Sequence, residues 1–248
     1  MNVLRLSALL GTVLAAAATD AAQAWQSKPF NTWTDEELKE VVTDSPWAGR
    51  ADLTRVQTPG SGFAPISQFA LVSWSSALPL RQAEERGRLK TGAGVSRETE
   101  ARLAATPASY VITVTIRGTL RPSDLLSQSA RIRSVTALRR LGKPSVSPTT
   151  IEERAFDRNG RPIEAPTPDG PRRAAMFLFM FPKTDPLTLG DKEVEFTTRL
   201  CSALAPKPDM DIVSMSEFGG GPLSPQCNLN VKKKFRLSDM VYNGALAL

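Results

Sequence analysis

The side chains that most often perform chemistry are sparse or absent in this 248-residue sequence. It contains no histidine, which excludes catalysis by Ser-His-Asp or Cys-His arrangements and every metal site with a histidine ligand. Its two cysteines, Cys201 and Cys227, lack the Cys-x-x-Cys spacing of a redox pair. In an exported chain two cysteines typically form a structural bond, and we predict a disulfide between them.

Two other segments carry residue types that are common in functional sites. Asp209, Asp211 and Glu217 superficially resemble a calcium loop, but the ligand spacing and central glycine of an EF-hand are missing. The glycine run 219–221 is not followed by the Lys-Ser/Thr of a phosphate-binding loop. We therefore predict no metal ligand, no cofactor and no assigned catalytic residue.

The remaining chemical feature is the charge on the outward positions of two candidate strands. Glu193 and Glu195 alternate on one strand, about 6.6–7 Å apart, and a carboxylate pair is what glycoside hydrolysis requires. Lys232, Lys234 and Arg236 alternate on the other. We expect these three cations to contact an anionic envelope component. Lysines that protect an edge strand from aggregation would produce the same pattern.

The overall charge is moderately basic, with 31 Lys and Arg against 25 Asp and Glu and a net charge of +6. Such an excess is compatible with an anionic partner, although ordinary solvated surfaces have it too. The sequence thus favours a non-enzymatic protein that contacts an anionic envelope component, and nucleic acid is not the expected partner. The alternative is a small secreted hydrolase that uses carboxylates or a Ser/Lys pair.

The N-terminal residues 1–24 have the pattern of a secretory signal peptide. Arg5 precedes the apolar stretch 6–18, and Ala22-Gln23-Ala24 is a small-x-small cleavage motif. We predict cleavage between Ala24 and Trp25 and a periplasmic or secreted protein. The apolar stretch is shorter than the roughly 20 residues of a membrane-spanning helix. Retention as an uncleaved anchor is the competing interpretation, and no transmembrane helix is expected after removal of the signal.

A short helix over residues 34–45 is predicted directly after the cleavage site. Thr34 is a good N-cap and Glu37 completes a capping box with it. Three tryptophans, Trp25, Trp33 and Trp47, flank this helix. A ligand-stacking platform is one use for them, but we expect them to pack the helix onto the core.

The rest of the chain predicts mainly strands. The apolar run 174–181, with three phenylalanines, indicates a strand that is covered on both faces. Periodicity further predicts strands over 68–74, 110–117, 152–156, 193–200 and 231–237, and a helix over 97–104. Residues 48–67 read as a connection and 81–96 as a loop, and 131–141 favours a strand over a helix.

These elements predict an α+β fold of mainly antiparallel strands. We expect residues 25–248 to form a single domain, in which a sandwich-like sheet is packed against the short N-terminal helix. The lack of regular alternation between strands and helices argues against a doubly wound parallel sheet.

Three segments of the sequence together resemble a family of exported bacterial proteins of unknown function. The segments are Lys28-Pro29-Phe30 continuing through 33–37 and 45–48, the stretch 179–183 with 191–196, and the C-terminal stretch 234–244. The family carries an N-terminal Lys-Pro-Phe…Trp-Thr segment and a C-terminal Lys-Phe-x-Leu-x-Asp-Met-x-Tyr-x-Gly segment. The resemblance implies a bacterial, exported protein with one continuous domain, and it assigns no role to any residue.

Overall fold

The computed structural model describes seven stretches of the chain, residues 24–55, 68–89, 93–120, 125–156, 162–163, 172–200 and 229–248. Its helices are α1 Ala24–Ser27, α2 Asp35–Thr43, α3 Leu78–Arg88, α4 Arg97–Ala104 and α5 Leu125–Ser134. Its strands are β1 Ala48–Arg55, β2 Gln68–Trp74, β3 Ser109–Leu120, β4 Ala137–Arg140, β5 Thr150–Phe156, β6 Pro162–Ile163, β7 Arg172–Pro182, β8 Glu193–Leu200, β9 Leu229–Arg236, β10 Val241–Tyr242 and β11 Ala245–Leu246. Within these stretches no helix is long and apolar enough to cross a bilayer.

Nine of the strands form one sheet in the order β4-β8-β9-β1-β2-β3-β7-β5-β6. Every neighbouring pair in it is antiparallel. The last two strands, β10 and β11, form a separate hairpin around an Asn243-Gly244 turn, where both residues have positive φ. The predicted α+β class with mainly antiparallel strands is confirmed.

Strand β7 contains the apolar run and lies inside the sheet, as predicted. It pairs with β3 on one side and with β5 on the other. Phe177, Phe179 and Phe181 point to the inner face and are buried, and Leu178 is buried on the opposite face. Strands β8 and β9 pair with each other at the other end of the sheet rather than beside β7.

The sheet curls until its two ends face each other across the core. Phe196 of β8 lies 5.3 Å from Phe179 and 6.3 Å from Phe181, measured between ring centroids. Trp74 of β2 lies 5.3 Å from Phe235 of β9. Edge-to-face contacts of this kind hold the inner faces of the two halves together. A single sheet therefore makes the sandwich-like core, and α5 packs against β5 and β8.

The N-terminal helix α2 has the predicted capping box, and the three tryptophans that flank it are buried, as the sequence predicts. The Thr34 hydroxyl accepts from the backbone N–H of Glu37, whose carboxylate in turn accepts from the backbone N–H of Thr34. Trp25, Trp33 and Trp47 are all buried in the core. They pack the helix onto the sheet and form no exposed stacking platform.

Two of the longer elements, β1 and α3, were not predicted from the sequence, and one region was only partly predicted. Residues 48–67 were expected to be a connection, yet β1 occupies 48–55 with glycine and alanine among its inner positions. Helix α3 lies in the region expected to be a loop, and it buries only a narrow apolar stripe. The region 131–141 is the end of α5 followed by β4, so the preference for a strand was correct only for its second half.

Several predictions concern residues outside the described stretches. They are residues 1–23 of the signal peptide predicted over 1–24, Cys201 and Cys227, the acidic residues at 209, 211 and 217, and the glycine run 219–221. The β8–β9 ladder ends at the pair Leu200 and Leu229. Cys201 follows Leu200 by one residue, and Cys227 precedes Leu229 by two residues. The disulfide between them stays a prediction.

Candidate functional site

The candidate site is the outer surface of β4, β8 and β9. Five exposed cations lie there, and we call them the basic face: Arg139, Arg199, Lys232, Lys234 and Arg236. Glu193 and Glu195 lie among them, so these seven side chains carry a net charge of +3. The alternation of side chains along each strand produces this surface, because the intervening residues face the core.

Two of the five cations are paired with the carboxylates across the β8–β9 ladder. The Lys232 ammonium lies 2.7 Å from Glu195, and the Lys234 ammonium lies 2.8 Å from Glu193. The hydrogen bond to Glu193 raises the pKa of Lys234 above its ordinary value. The outward carboxylates of β8 and the outward lysines of β9 thus meet across an antiparallel pair of strands. Ion pairs this exposed are weak and screened by salt.

The other three cations, Arg139, Arg199 and Arg236, make no ion pair with any described residue. Arg236 was predicted, together with Lys232 and Lys234, as an anionic contact, and the fold brings those three onto one surface. Arg139 joins them because β4 pairs with β8 in a register that places it opposite Glu195. Only that register, between segments over fifty residues apart, shows the contribution of Arg139.

Lys233 lies on the opposite side of β9 from the basic face. It is half-buried opposite Phe196, and its ammonium is 3.5 Å from the carbonyl oxygen of Arg50. A Cβ atom on Gly49 would lie 2.5 Å from that ammonium nitrogen. The absence of a side chain at Gly49 thus leaves space for Lys233. Because Lys233 points inward, it does not belong to the candidate site.

The carboxylate pair considered for hydrolysis lies on this open surface. Glu193 and Glu195 each bind a lysine from β9. Glycoside hydrolysis needs a concave site that holds the sugar between two carboxyl groups, whereas these two carboxylates bind lysines on an open strand face. The arrangement of these two residues is that of a cross-strand charge ladder.

A second group of four charged side chains, two of them buried, lies where strand β4 stops. The guanidinium of Arg140 has 3% exposure and lies 2.5 Å from Asp185 and 3.9 Å from Asp191. The carboxylate of Asp191 is equally buried and lies 2.9 Å from the ammonium of Lys143. These four residues form the ionic clamp, which connects β4 and the turn after it to the segment between β7 and β8.

The position of Asp191 within the ionic clamp shifts its titration. Burial raises the pKa of its carboxyl group, but hydrogen bonds from Lys143 and from the backbone N–H of Thr188 outweigh that effect. The net result is a pKa below the ordinary value. A carboxyl group with a lowered folded-state pKa stabilises the fold above its unfolded-state pKa of about 3.9, and this is lost as pH falls through the folded-state pKa.

We expect Asp191→Asn to lower the free energy of unfolding by about 1.5–3 kcal/mol at pH 7, the usual contribution of hydrogen bonds to a charged group. The difference from the wild type should begin to shrink below about pH 4, where the carboxylate becomes protonated in the unfolded chain, and should continue to shrink as pH falls towards the lower folded-state pKa. Urea unfolding at pH 7, 5, 4 and 3 measures it. A difference that stays constant down to pH 3 would contradict this role for the carboxylate.

Tyr110 and Lys183 lie in contact beside the ionic clamp. Burial raises the pKa of Tyr110, whose phenol oxygen accepts a hydrogen bond from the backbone N–H of Leu187. The Lys183 ammonium lies 4.6 Å from the centre of the Tyr110 ring and donates to the carbonyl oxygen of Leu248. Burial, together with repulsion from Arg81, lowers the pKa of Lys183. These contacts connect the segment after β7 to the C-terminal hairpin.

Two concave regions of the described surface lie away from the basic face. A cavity of about 260 Å³ lies between Arg81 and the C-terminal hairpin. A second one, of about 530 Å³, lies beside Trp25 and includes Asp44 and Asp239. Where the chain is described, no three Cys, Asp or Glu residues are grouped so that they could hold a metal ion.

Comparison of the chain with family models, with curated proteins and with solved structures found no match. The charges and geometry of the described residues are therefore the basis on which a function can be proposed.

Proposed function

We propose that this chain is an exported, non-enzymatic protein that contacts an anionic component of the cell envelope through the basic face. The observation that carries this proposal is the net charge of +3 on one exposed surface of three adjacent strands. Export follows from the signal-peptide pattern of residues 1–24 and from the resemblance to exported bacterial proteins.

The basic face is suited to an extended anionic surface because its cations are held on a rigid grid. Neighbouring strands lie about 4.8 Å apart, and outward residues on one strand recur about every 6.6–7 Å. The eight residue pairs between β8 and β9 fix this spacing. The backbone positions of the cations are therefore already fixed and lose little entropy on binding. Several cations can then contact a surface of closely spaced negative charges at the same time.

Electrostatic attraction supplies most of the expected affinity. A Lys or Arg near an anionic surface contributes about 1 kcal/mol, and salt at physiological strength screens charges beyond roughly 8 Å. Arg139, Arg199 and Arg236 have no competing carboxylate within ion-pair distance among the described residues, so they interact with an external anion at no cost in lost pairs.

The test is a triple variant, Arg139→Gln/Arg199→Gln/Arg236→Gln, assayed for binding to beads coated with dextran sulfate. We expect about 100-fold weaker binding than that of the wild type, since three cations contribute about 1 kcal/mol each. Wild-type binding should also weaken steeply as salt is raised.

The matched control removes three exposed cations from helices, in the variant Lys39→Gln/Arg97→Gln/Arg133→Gln. It has the same net charge as the triple variant and should bind nearly as the wild type does. Equal losses in both variants would show that net charge alone matters, and the basic face would then have no specific role. Wild-type binding that is absent, or insensitive to salt, would refute the proposal itself.

A further inference from the structure

Two exposed leucines lie at the same end of the sheet, on neighbouring turns. Strand β4 ends at Arg140 and β8 begins at Glu193, and the pairing of Arg140 with Val194 brings these two strand ends together. Leu141 follows β4 and is 96% exposed, whereas Leu189 precedes β8 and is 53% exposed. They are two of the three large apolar side chains that are exposed in the described part of the chain.

Both leucines stand at the outer points of tight turns. The backbone N–H of Lys143 donates to the carbonyl oxygen of Arg140, and Gly142 has a φ of 70°. Such a turn places Leu141 at its apex. Leu189 opens a 3-10 turn that is closed by reciprocal hydrogen bonds between Thr188 and Asp191. The leucines therefore project outward from the sheet and do not line a groove.

The ionic clamp fixes the two turns to each other. Lys143 from the first turn binds Asp191 of the second at 2.9 Å, and Arg140 reaches both Asp191 and Asp185. Buried ion pairs add little net stability, but they can fix one arrangement of the segments that they join. Here they hold two exposed leucines in fixed relative positions, so little conformational entropy is lost when both enter an apolar medium.

Exposed cations surround the leucines. Arg139 immediately precedes the first turn, Lys192 closes the second, and Arg236 ends β9 opposite Glu193. None of the three makes an ion pair with another described residue. Exposed apolar side chains with cations nearby are suited to a layer that has an apolar interior and a negatively charged surface.

We propose that Leu141 and Leu189 enter the headgroup region of an anionic lipid bilayer. This inference rests on the proposed function and identifies the anionic component as lipid. The protein binds the bilayer through the turns after β4 and before β8. Arg139 and Arg236, the cations of the basic face nearest these turns, then lie at the level of the lipid phosphates. A protein partner fits these turns less well, because two separate convex points bury little area against a folded surface.

The experiment measures binding of the full chain to vesicles of phosphatidylcholine and phosphatidylglycerol in equal parts, by co-sedimentation. We expect Leu141→Ser and Leu189→Ser each to weaken binding about tenfold, and the double variant about 100-fold, because each removes one buried apolar side chain. The salt dependence should stay that of the wild type, since no charge changes. Vesicles of phosphatidylcholine alone should bind the wild type poorly.

The matched control is Phe69→Ser, which removes the third exposed apolar side chain. Phe69 is 48% exposed and lies on β2, four strands away from β4. It should leave vesicle binding unchanged. A loss equal to that of the leucine variants would mean that the protein lies flat on its outer face, which overturns binding by the strand ends.

The outcomes separate this inference from the proposed function. If the leucine double variant binds vesicles as the wild type does, insertion is refuted while the electrostatic contact stands. If the wild type binds dextran sulfate but no anionic vesicle, the anionic component is not lipid. If light scattering shows a wild-type dimer that the double variant loses, without a change in vesicle binding, the leucines contact a second copy of the chain and the lipid assignment is wrong.

Discussion

Replacing Trp47 by alanine is expected to lower the free energy of unfolding by about 3–5 kcal/mol, the usual cost of truncating a fully buried aromatic side chain. Trp47 has no exposed surface and contacts the rings of Trp25 and Tyr242, each at 6.2 Å between centroids. It thus connects the start of the described chain to the C-terminal hairpin, and the cavity left by alanine would lie between them. Urea unfolding followed by circular dichroism measures the loss.

The control for Trp47→Ala is Leu141→Ala, which truncates an almost fully exposed apolar side chain. Exposed substitutions of this kind usually change stability by less than about 0.5 kcal/mol. A small cost at both positions would show that Trp47 is not packed as described. A large cost at Leu141 would show that this leucine is buried in solution, which would also remove the basis for its contact with a bilayer.

The second large effect is expected from Arg140→Met, at about 2–3 kcal/mol, the upper part of the usual range for hydrogen bonds to a charged group. The substitution removes the hydrogen bonds of a buried guanidinium to Asp185 and one of the two cations beside the Asp191 carboxylate. The Asp191 carboxylate would keep its contact with Lys143 but lose the guanidinium. Asp185 is more than half exposed and would return to water. The same urea titration at pH 7 measures the change.

A double variant, Arg140→Met/Asp191→Leu, provides the decisive comparison. Replacing both members of a buried pair by apolar residues is often neutral or stabilising, since no unpaired charge remains. Asp191 also binds Lys143 and the Thr188 N–H, so we expect the double variant to be destabilised, but by less than the sum of the two single variants. Costs that simply add would show that the two side chains do not interact, and the ionic clamp would then not fix the turns at Leu141 and Leu189.

Segments with strict periodicity could be predicted from the sequence because local pattern and tertiary position agree in them. In β8 every second residue is buried and three of these four are apolar, and its predicted bounds, 193–200, are those observed. The helix at 97–104 and the Thr34 capping box were likewise predicted correctly. In each case the signal lies within a dozen residues.

The missed elements lack such a local signal. The inner positions of β1 include Gly49 and Ala51, which are too small to give an apolar alternation. Helix α3 buries the guanidinium of Arg86, which donates to the carbonyl oxygen of Trp33. A charged residue at an inner position conceals the apolar stripe that would have indicated a helix.

The candidate site was predictable only in part for the same reason. Lys232, Lys234 and Arg236 could be placed on one face by the alternation of their own strand. The contribution of Arg139, and the meeting of Arg140 with Asp185 and Asp191, depend on β4 pairing with a strand more than fifty residues away. Pairing between strands that are so far apart in the sequence is determined by the packing of the whole core. It produces no pattern that can be recognised in a short segment of the sequence.

The edge strands of the sheet affect how the protein behaves at high local concentration. Its two outermost strands, β4 and β6, contain four and two residues, and the free side of β4 is partly occupied by a bridge between Leu138 and Val146. A short or covered edge offers few open backbone groups to a strand of another molecule. At β4 the described chain therefore offers little template for edge-to-edge pairing, and this edge of the sheet resists fibre growth when the protein is concentrated at a surface.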